Sequence, residues 1–280
     1  MWLAGLLAVL VAASEGSLVG LVTLPLPNPG LISEITLCDA TGDGHLDIVA
    51  AQSGTNRLAL FAGTGGGGFV DPPGQIVANS NTFFLTSGDF DGDGDADLIT
   101  SAGSFNNLTS VHWGHGDGTF DPSVQLPGSQ TTPSRTVGDL NGDGRDDLVQ
   151  VTGLFIYPNS YLSWQPGPGF TATPILSGHV SSTAAVGDLD RDGVGELILS
   201  GSTGIVEVYQ RQLDGTLTVS ASYATAAEPR SLSVADLDAD GALDVVASGS
   251  VATVFAGQGN GELYGEYSLE AFAHDLAAAD

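Results

Sequence analysis

Acidic residues recur at alternate positions of a short loop that turns on a glycine, and the loop appears five times. The second copy is the fullest: Asp89, Asp91 and Asp93 hold positions 1, 3 and 5, Gly94 stands at 6, Asp95 at 7 and Asp97 at 9. Calcium is a hard cation that takes six to eight oxygens, and such a loop supplies them from side chains at 1, 3, 5 and 9 and from the backbone carbonyl at 7. The third copy offers Asp139, Asn141, Asp143, the Arg145 carbonyl and Asp147; the fifth offers Asp236, Asp238, Asp240, the Ala242 carbonyl and Asp244. In the fourth, Asp188, Asp190, Asp192 and the Val194 carbonyl are followed by Glu196, whose extra methylene still reaches an ion but changes its denticity or leaves room for water. The first has Asp39, Thr41, Asp43, the His45 carbonyl and Asp47, so a hydroxyl replaces one charge and this is the weakest of the five calcium sites. Side-chain identity is free at position 7, as a carbonyl ligand allows.

Acidic stretches are commonly just solvated faces. Solvation does not, however, hold acids and glycine at fixed offsets through five copies while the residues between them change. A helical EF-hand loop opens in the same way but closes on an acid at position 12, where this chain has Ala50, Thr100, Gln150, Leu199 and Ala247.

The loops begin 48 to 50 residues apart, a period that marks a stacked array or a ring of one copied supersecondary unit. Each is followed by a short run rich in β-branched residues, such as Asp47-Ile-Val-Ala-Ala or Asp244-Val-Val-Ala, and then by a second run carrying an aromatic: Phe61, Trp113, Trp164, Tyr209 or Phe255. A glycine turn, a third strand (Ser123 to Leu126, Leu217 to Ser222) and a fourth leading to the next loop (Thr82 to Ser87, Ser231 to Ala235) complete the unit. Four antiparallel strands in about 50 residues predict an all-β fold, a β-propeller of four-stranded blades. The recurring aromatics are expected between blades as core, with sugar-stacking platforms as the other reading.

At this point the chain resembles the FG-GAP, or VCBS, repeat family, whose calcium-binding blades also form the propeller of integrin α subunits. The residues that carry the resemblance are Gly88-Asp-Phe-Asp-Gly-Asp-Gly-Asp-Ala-Asp97 with Gly114-His-Gly-Asp-Gly-Thr-Phe120, over roughly residues 17 to 280. It implies a metal loop joining the first and second strands of each blade, ions on one rim, and partner-binding loops on the other face, near Pro25 to Gly30, Pro127 to Ser134, Gly178 to Ser182 and Ala224 to Arg230. Seven blades is the common number in the family. Five repeats are whole here, and His274-Asp-Leu-Ala-Ala-Ala-Asp280 aligns with Arg230 to Asp236, so the chain reads as a fragment incomplete at its C-terminus. Leu18 to Leu24 reads as an outermost strand lacking the rest of its blade.

Residues 1–16 read as a signal peptide and the start of the mature chain: the apolar run over the first 13 is too short to span a bilayer and ends in small residues. Residues 17–280 then form the propeller, exported to the cell surface or beyond, with no integral membrane segment once the leader is removed. Cys38 is the single cysteine, expected to be small and buried, so calcium takes the place that disulfides hold in many exported domains. The charge of −27, from 33 acids against 6 arginines, repels nucleic acid and anionic membranes.

No GxSxG, HExxH, GxxxxGK[ST] or CxxC pattern occurs, and the paired carboxylates are committed to calcium, so no enzyme is expected on this segment. His112 and His115 are expected to be exposed turn residues. The reading that follows is an exported calcium-binding propeller that meets an extracellular protein or glycan as a binding or adhesion module. A carbohydrate-binding lectin and the propeller portion of a larger secreted lyase, dehydratase or hydrolase are the alternatives. The Asn107-Leu-Thr109 sequon has meaning only in a host that glycosylates exported proteins.

Overall fold

The computed structural model describes residues 6–12, 18–25, 32–52, 54–70, 73–78, 82–102, 109–126, 134–151, 159–165, 169–175 and 181–269. Its described residues form strands and turns with no helix, and so none that is long and apolar enough to cross a membrane. The chain divides into two compact units, residues 1–129 and 130–280.

In the first unit β1 (Leu6–Ala12) pairs antiparallel with β2 (Leu18–Pro25). Two four-stranded antiparallel sheets follow. The first runs β3 (Ile32–Cys38), β4 (Asp47–Gln52), β5 (Arg57–Phe61) and β6 (Gly74–Val77); the second runs β7 (Thr82–Gly88), β8 (Asp97–Ala102), β9 (Thr109–His112) and β10 (Val124–Gln125). The second unit holds three more such sheets. These are β11 (Ser134–Gly138) to β14 (Gly169–Ile175) by way of β12 (Asp147–Val151) and β13 (Asn159–Gln165); β15 (Ser181–Gly187), β16 (Glu196–Gly201), β17 (Ile205–Arg211) and β18 (Leu217–Ala224); and β19 (Pro229–Ala235), β20 (Asp244–Gly249), β21 (Ala252–Gly257) and β22 (Leu263–Leu269).

Each four-stranded sheet is a meander in sequence order, which is the blade of a β-propeller, and the acidic loop joins its first two strands. The second strand is buried along its whole length in all five (β4, β8, β12, β16 and β20, apart from Ala102 at the end of β8). An antiparallel strand exposed on one face would alternate; a continuous apolar run such as Leu197-Ile-Leu199 means that both faces of the sheet are covered by neighbours. The outermost strands β6, β10 and β18 are the exposed ones. Within the first unit, Val49, Ala51, Leu58 and Leu60 of one sheet pack with Leu85 and Leu98 of the next, while Leu24 of β2 joins Ile48, Ala50 and Phe61 on the other face. In the second unit Val149, Tyr161 and Ile175 pack with Leu197 and Tyr209, and Ile198, Val206 and Val208 pack with Val245 and Phe255. Cys38 is buried and free, and burial pushes its thiol up to about 11.

Register divides the aromatic series. Phe61, Tyr209 and Phe255 pair with the residue just after position 9 of their loops (Ile48, Leu197, Val245) and are buried core side chains. At the same station the second sheet has His112, opposite Leu98, and the third has Leu162, opposite Leu148. Trp113 falls one residue beyond and is half-buried, and the side chain of Trp164 lies outside the described residues. The expectation of an exposed turn histidine is therefore corrected at His112. It is fully buried, its Nε2 sits 3.0 Å from Thr100 Oγ1, and burial lowers its pKa to about 4. His115 is the exposed one, 3.1 Å from Asp121.

Candidate metal centres

All five loops share one backbone path. The position 1 carboxylate accepts from the N–H groups of positions 5 and 6: Asp89 from Asp93 (3.1 Å) and Gly94 (3.0 Å), Asp188 from Asp192 (3.1 Å) and Gly193 (3.0 Å), and Asp39, Asp139 and Asp236 in the same manner. The position 5 carboxylate accepts from the N–H of position 7, as Asp93 does from Asp95 (2.9 Å) and Asp240 from Ala242 (2.7 Å). The chain can fold back this tightly only by passing through left-handed backbone at positions 4 and 6. Position 6 is glycine every time, with φ from 78° at Gly144 to 90° at Gly94. Position 4 was not anticipated from the sequence: Gly42, Gly92 and Gly142 serve the first three loops, but Arg191 (φ 61°) and Ala239 (φ 60°) take the same conformation in the last two. A side chain there costs about 1 kcal/mol.

Positions 1, 3 and 9 converge. Asp89, Asp91 and Asp97 bring one oxygen each to within 4.8 Å of one another, as do Asp188, Asp190 and Glu196, and Asp236, Asp238 and Asp244. Position 5 (Asp93, Asp192, Asp240) stands outside these clusters, its carboxylate engaged by the amide of position 7. In the first and third loops position 3 is not an acid. Thr41 Oγ1 is buried without a hydrogen-bond partner, while Asn141 Nδ2 donates to both oxygens of Asp147 (3.0 and 3.1 Å). Asp43 and Asp143 accept from the amides of His45 (2.9 Å) and Arg145 (3.1 Å). At position 7 the His45 ring and the Asp95 carboxylate lie where a Cβ on Gly65 or Gly116 would go.

Position 9 anchors each loop to its sheet. Asp47, Asp97, Asp147, Glu196 and Asp244 are all buried at the start of a second strand, and each accepts from the N–H of position 2, at 2.8 Å for Leu189 to Glu196 and 3.1 Å for Leu140 to Asp147. Burial, reinforced by the other carboxylates of the loop, pushes Asp97, Asp147 and Glu196 up to about 7. In three blades a second donor supports the acid: Gly63, Gly114 and Gly257 give their N–H to Asp47 (2.7 Å), Asp97 (2.8 Å) and Asp244 (2.8 Å). Those positions must be glycine, because a Cβ would collide with the carbonyl oxygen of loop position 8, on Leu46, Ala96 or Leu243. By register the fourth blade has Arg211 at this place.

Loops also reach the next sheet. Gly118 of the second blade donates to the Ala40 carbonyl of the first loop (2.8 Å), Gly261 of the fifth blade to the Leu189 carbonyl of the fourth loop (3.1 Å), and Gly195 of the fourth loop to the Asp139 carbonyl of the third (2.7 Å). The position 2 side chains Ala40, Phe90, Leu140 and Leu189 are buried; Leu237 of the fifth loop is half exposed.

The donor set fits a hard divalent cation. It is built of oxygen alone, it gathers buried carboxylates that hold protons to near neutrality when nothing positive faces them, and in the first loop it leaves a buried hydroxyl oxygen unpartnered. Of the segments expected to face a partner, 26–30, 127–133 and 178–180 lie outside the described residues, as do Asn107 of the sequon and 274–280. Ala224 to Arg230 is described: Thr225 ties this turn to the Gly204 and Ala227 carbonyls (2.9 and 2.7 Å).

Comparison with known proteins agrees with this geometry. A family model described as an FG-GAP-like repeat matches residues 39–100, 101–149 and 188–247, more than half of the chain, and a second, described as an FG-GAP repeat, matches 82–119. No curated protein matches. Among solved structures, an Agrocybe aegerita lectin recorded for its recognition of non-reducing terminal N-acetylglucosamine superposes with a TM-score of 0.63 at 19% identity, over 91% of this chain and 73% of the lectin chain. BBS1N in complex with ARL6DN gives a TM-score of 0.54 at 18% identity, over 87% of this chain and 69% of the other. At these identities the likeness is one of fold.

Proposed function

The chain belongs to the FG-GAP repeat family, and on that premise we propose that it is an exported calcium-binding module of binding or adhesion type, in which the ions are structural and a protein or glycan is the partner. The observation that carries the calcium assignment is the convergence of positions 1, 3 and 9 on a buried carboxylate in the second, fourth and fifth loops. The first and third loops complete the set with Thr41 and Asn141, and the first is the weakest. Bound calcium would neutralise each cluster and stiffen a loop that already holds the neighbouring sheet through Ala40, Asp139 or Leu189. With Kd of about 10⁻⁴ M at roughly 1 mM free calcium, each site adds about 1.4 kcal/mol, and five add on the order of 7 kcal/mol. That is comparable to the whole stability of an ordinary domain, about 5 to 15 kcal/mol.

Calorimetric titration of the EDTA-treated chain with CaCl₂ tests the assignment. Several sites with Kd at or below the millimolar range are expected, with Asp89→Asn/Asp91→Asn removing one of them; no heat of binding and a melting temperature indifferent to EGTA would overturn it. Residues 1–16 as leader and 17–280 as module is part of the same reading, and N-terminal sequencing of exported protein decides it. The second reading, a carbohydrate-binding lectin, draws on the fold shared with the Agrocybe aegerita lectin. A glycan array distinguishes the two.

A further inference from the structure

We propose that the cavity between the outer strand β18 and the turn leading from β21 into β22 is a binding site for a single neutral sugar ring, walled on one side by the fourth metal loop. It encloses about 330 Å³, at the small end of the range for ligand pockets, and Glu196, Gln210, Tyr223, Gln258, Asn260 and Tyr264 line it.

The hydrogen-bonding capacity of these groups is divided in a way that suits hydroxyls, which donate and accept at once. Gln210 gives its Nε2–H to Asp190 Oδ2 (2.9 Å) and so keeps Oε1 as an acceptor. Asn260 accepts the Glu262 N–H on Oδ1 (3.0 Å) and keeps Nδ2 as a donor. Tyr223 accepts the Leu263 N–H on its hydroxyl oxygen (2.9 Å) and keeps the hydroxyl proton, while its ring is fixed against Phe255 at 5.6 Å. Tyr264 is 61% exposed and supplies an aromatic face on which the C–H side of a pyranose can lie. Two glutamates and no cationic side chain line the cavity, which disfavours phosphate, sulfate and carboxylate ligands.

The equivalent groove of the first unit, between β6 and the turn before β10, is a different surface. It encloses about 450 Å³ and is lined by Ile76, Val77, Phe120 and Pro122, with Gln75 as its one amide against three in the other cavity. The cluster of Gln210, Gln258 and Asn260 is thus not repeated in the corresponding groove of the first unit.

Two lining residues belong to or touch the metal centre. Glu196 supplies position 9, and its Oε2 accepts from Leu189 while no glycine amide caps the other oxygen as in blades one, two and five. Gln210 holds the position 3 carboxylate. A sugar seated on Gln210 thus feels the state of the fourth loop, a linkage that rests on the calcium assignment above, whereas the pocket itself does not.

The test uses the full chain with CaCl₂ and the methyl glycosides of glucose, galactose, mannose and N-acetylglucosamine, read by saturation-transfer NMR and calorimetry. At least one glycoside is expected to bind in the millimolar range, and Tyr264→Ala and Asn260→Asp, the latter keeping the acceptor for the Glu262 N–H while removing the Nδ2 donor, are each expected to weaken it about tenfold with the melting temperature unchanged. By reciprocity the glycoside should tighten calcium binding by the factor by which calcium tightens the glycoside. Absence of binding by all four sugars, or binding that both variants leave untouched, overturns the proposal. Sugar binding that the variants weaken in a chain that takes up no calcium would sustain the pocket and remove the calcium assignment instead.

Discussion

The second and fourth metal loops follow the same backbone with different chemistry. In the second, Gly92 takes the left-handed turn at position 4 without strain, Asp97 closes the cluster, and the Gly114 amide holds its second oxygen from behind. In the fourth, Arg191 is forced into that turn at φ 61°, Glu196 replaces the aspartate, and Arg211 stands at the station of the capping glycine, beside a polar cavity. One loop is closed, relaxed and supported from its own sheet. The other is strained and open on one side, and the contrast shows that the repeat specifies a cation cage at the level of backbone and leaves each copy free to trade tightness for access.

Chelation is the bluntest way to break the comparison. EGTA is expected to lower the melting temperature by roughly 20 °C, from on the order of 7 kcal/mol at about 3 °C per kcal/mol for a chain of this size, and in a calcium titration the second loop should fill before the fourth. Acidity comes next. Without calcium, Asp97, Asp147 and Glu196 keep their protons to about 7 in the folded chain, whereas in the unfolded chain they release them near their ordinary values of about 4. Folding then binds protons, so stability in EGTA is greatest below about pH 4 and falls as the pH climbs to about 7. With calcium present the trend should reverse, because the cation needs the deprotonated acids; melting curves at both ends of that window, with and without CaCl₂, check the sign.

Single substitutions sharpen the picture. Gly114→Ala drives a Cβ into the Ala96 carbonyl and should cost about 2 to 3 kcal/mol while weakening only the second site. Arg211→Ala, at the equivalent station of the fourth blade, should change stability by less than about 0.5 kcal/mol. Arg191→Gly relieves the turn and should stabilise by about 1 kcal/mol, seen as a small rise in urea midpoint. If Gly114→Ala and Arg211→Ala behaved alike, the distinction between capped and uncapped acids would be lost.

Most of the architecture was legible in the sequence, since ligands at fixed offsets and second strands that are apolar throughout are local signals. Chain separation hid the rest. Gly63, Gly114 and Gly257 reach position 9 through hairpins of different lengths, so no constant spacing links each glycine to its acid. The aromatics looked equivalent in order along the chain, but equivalence is set by ladder register, which places His112 rather than Trp113 opposite Leu98. The strain at Arg191 and Ala239 was invisible because neither residue type announces left-handed backbone. Nor did the ligand pattern reveal that one oxygen of position 5 also accepts the amide of position 7 in the folded loop.

The bonds from Gly118 to Ala40 and from Gly261 to Leu189 carry one more consequence. Because the first and fourth cages lean on a glycine turn borrowed from the following sheet, a self-sufficient brick that holds such a cage is longer than one copy and runs on past the third strand of the next sheet. An engineer who shortens or lengthens this array should cut beyond that glycine turn, at the outermost strand that follows it, so that these cages keep the turn on which they rest.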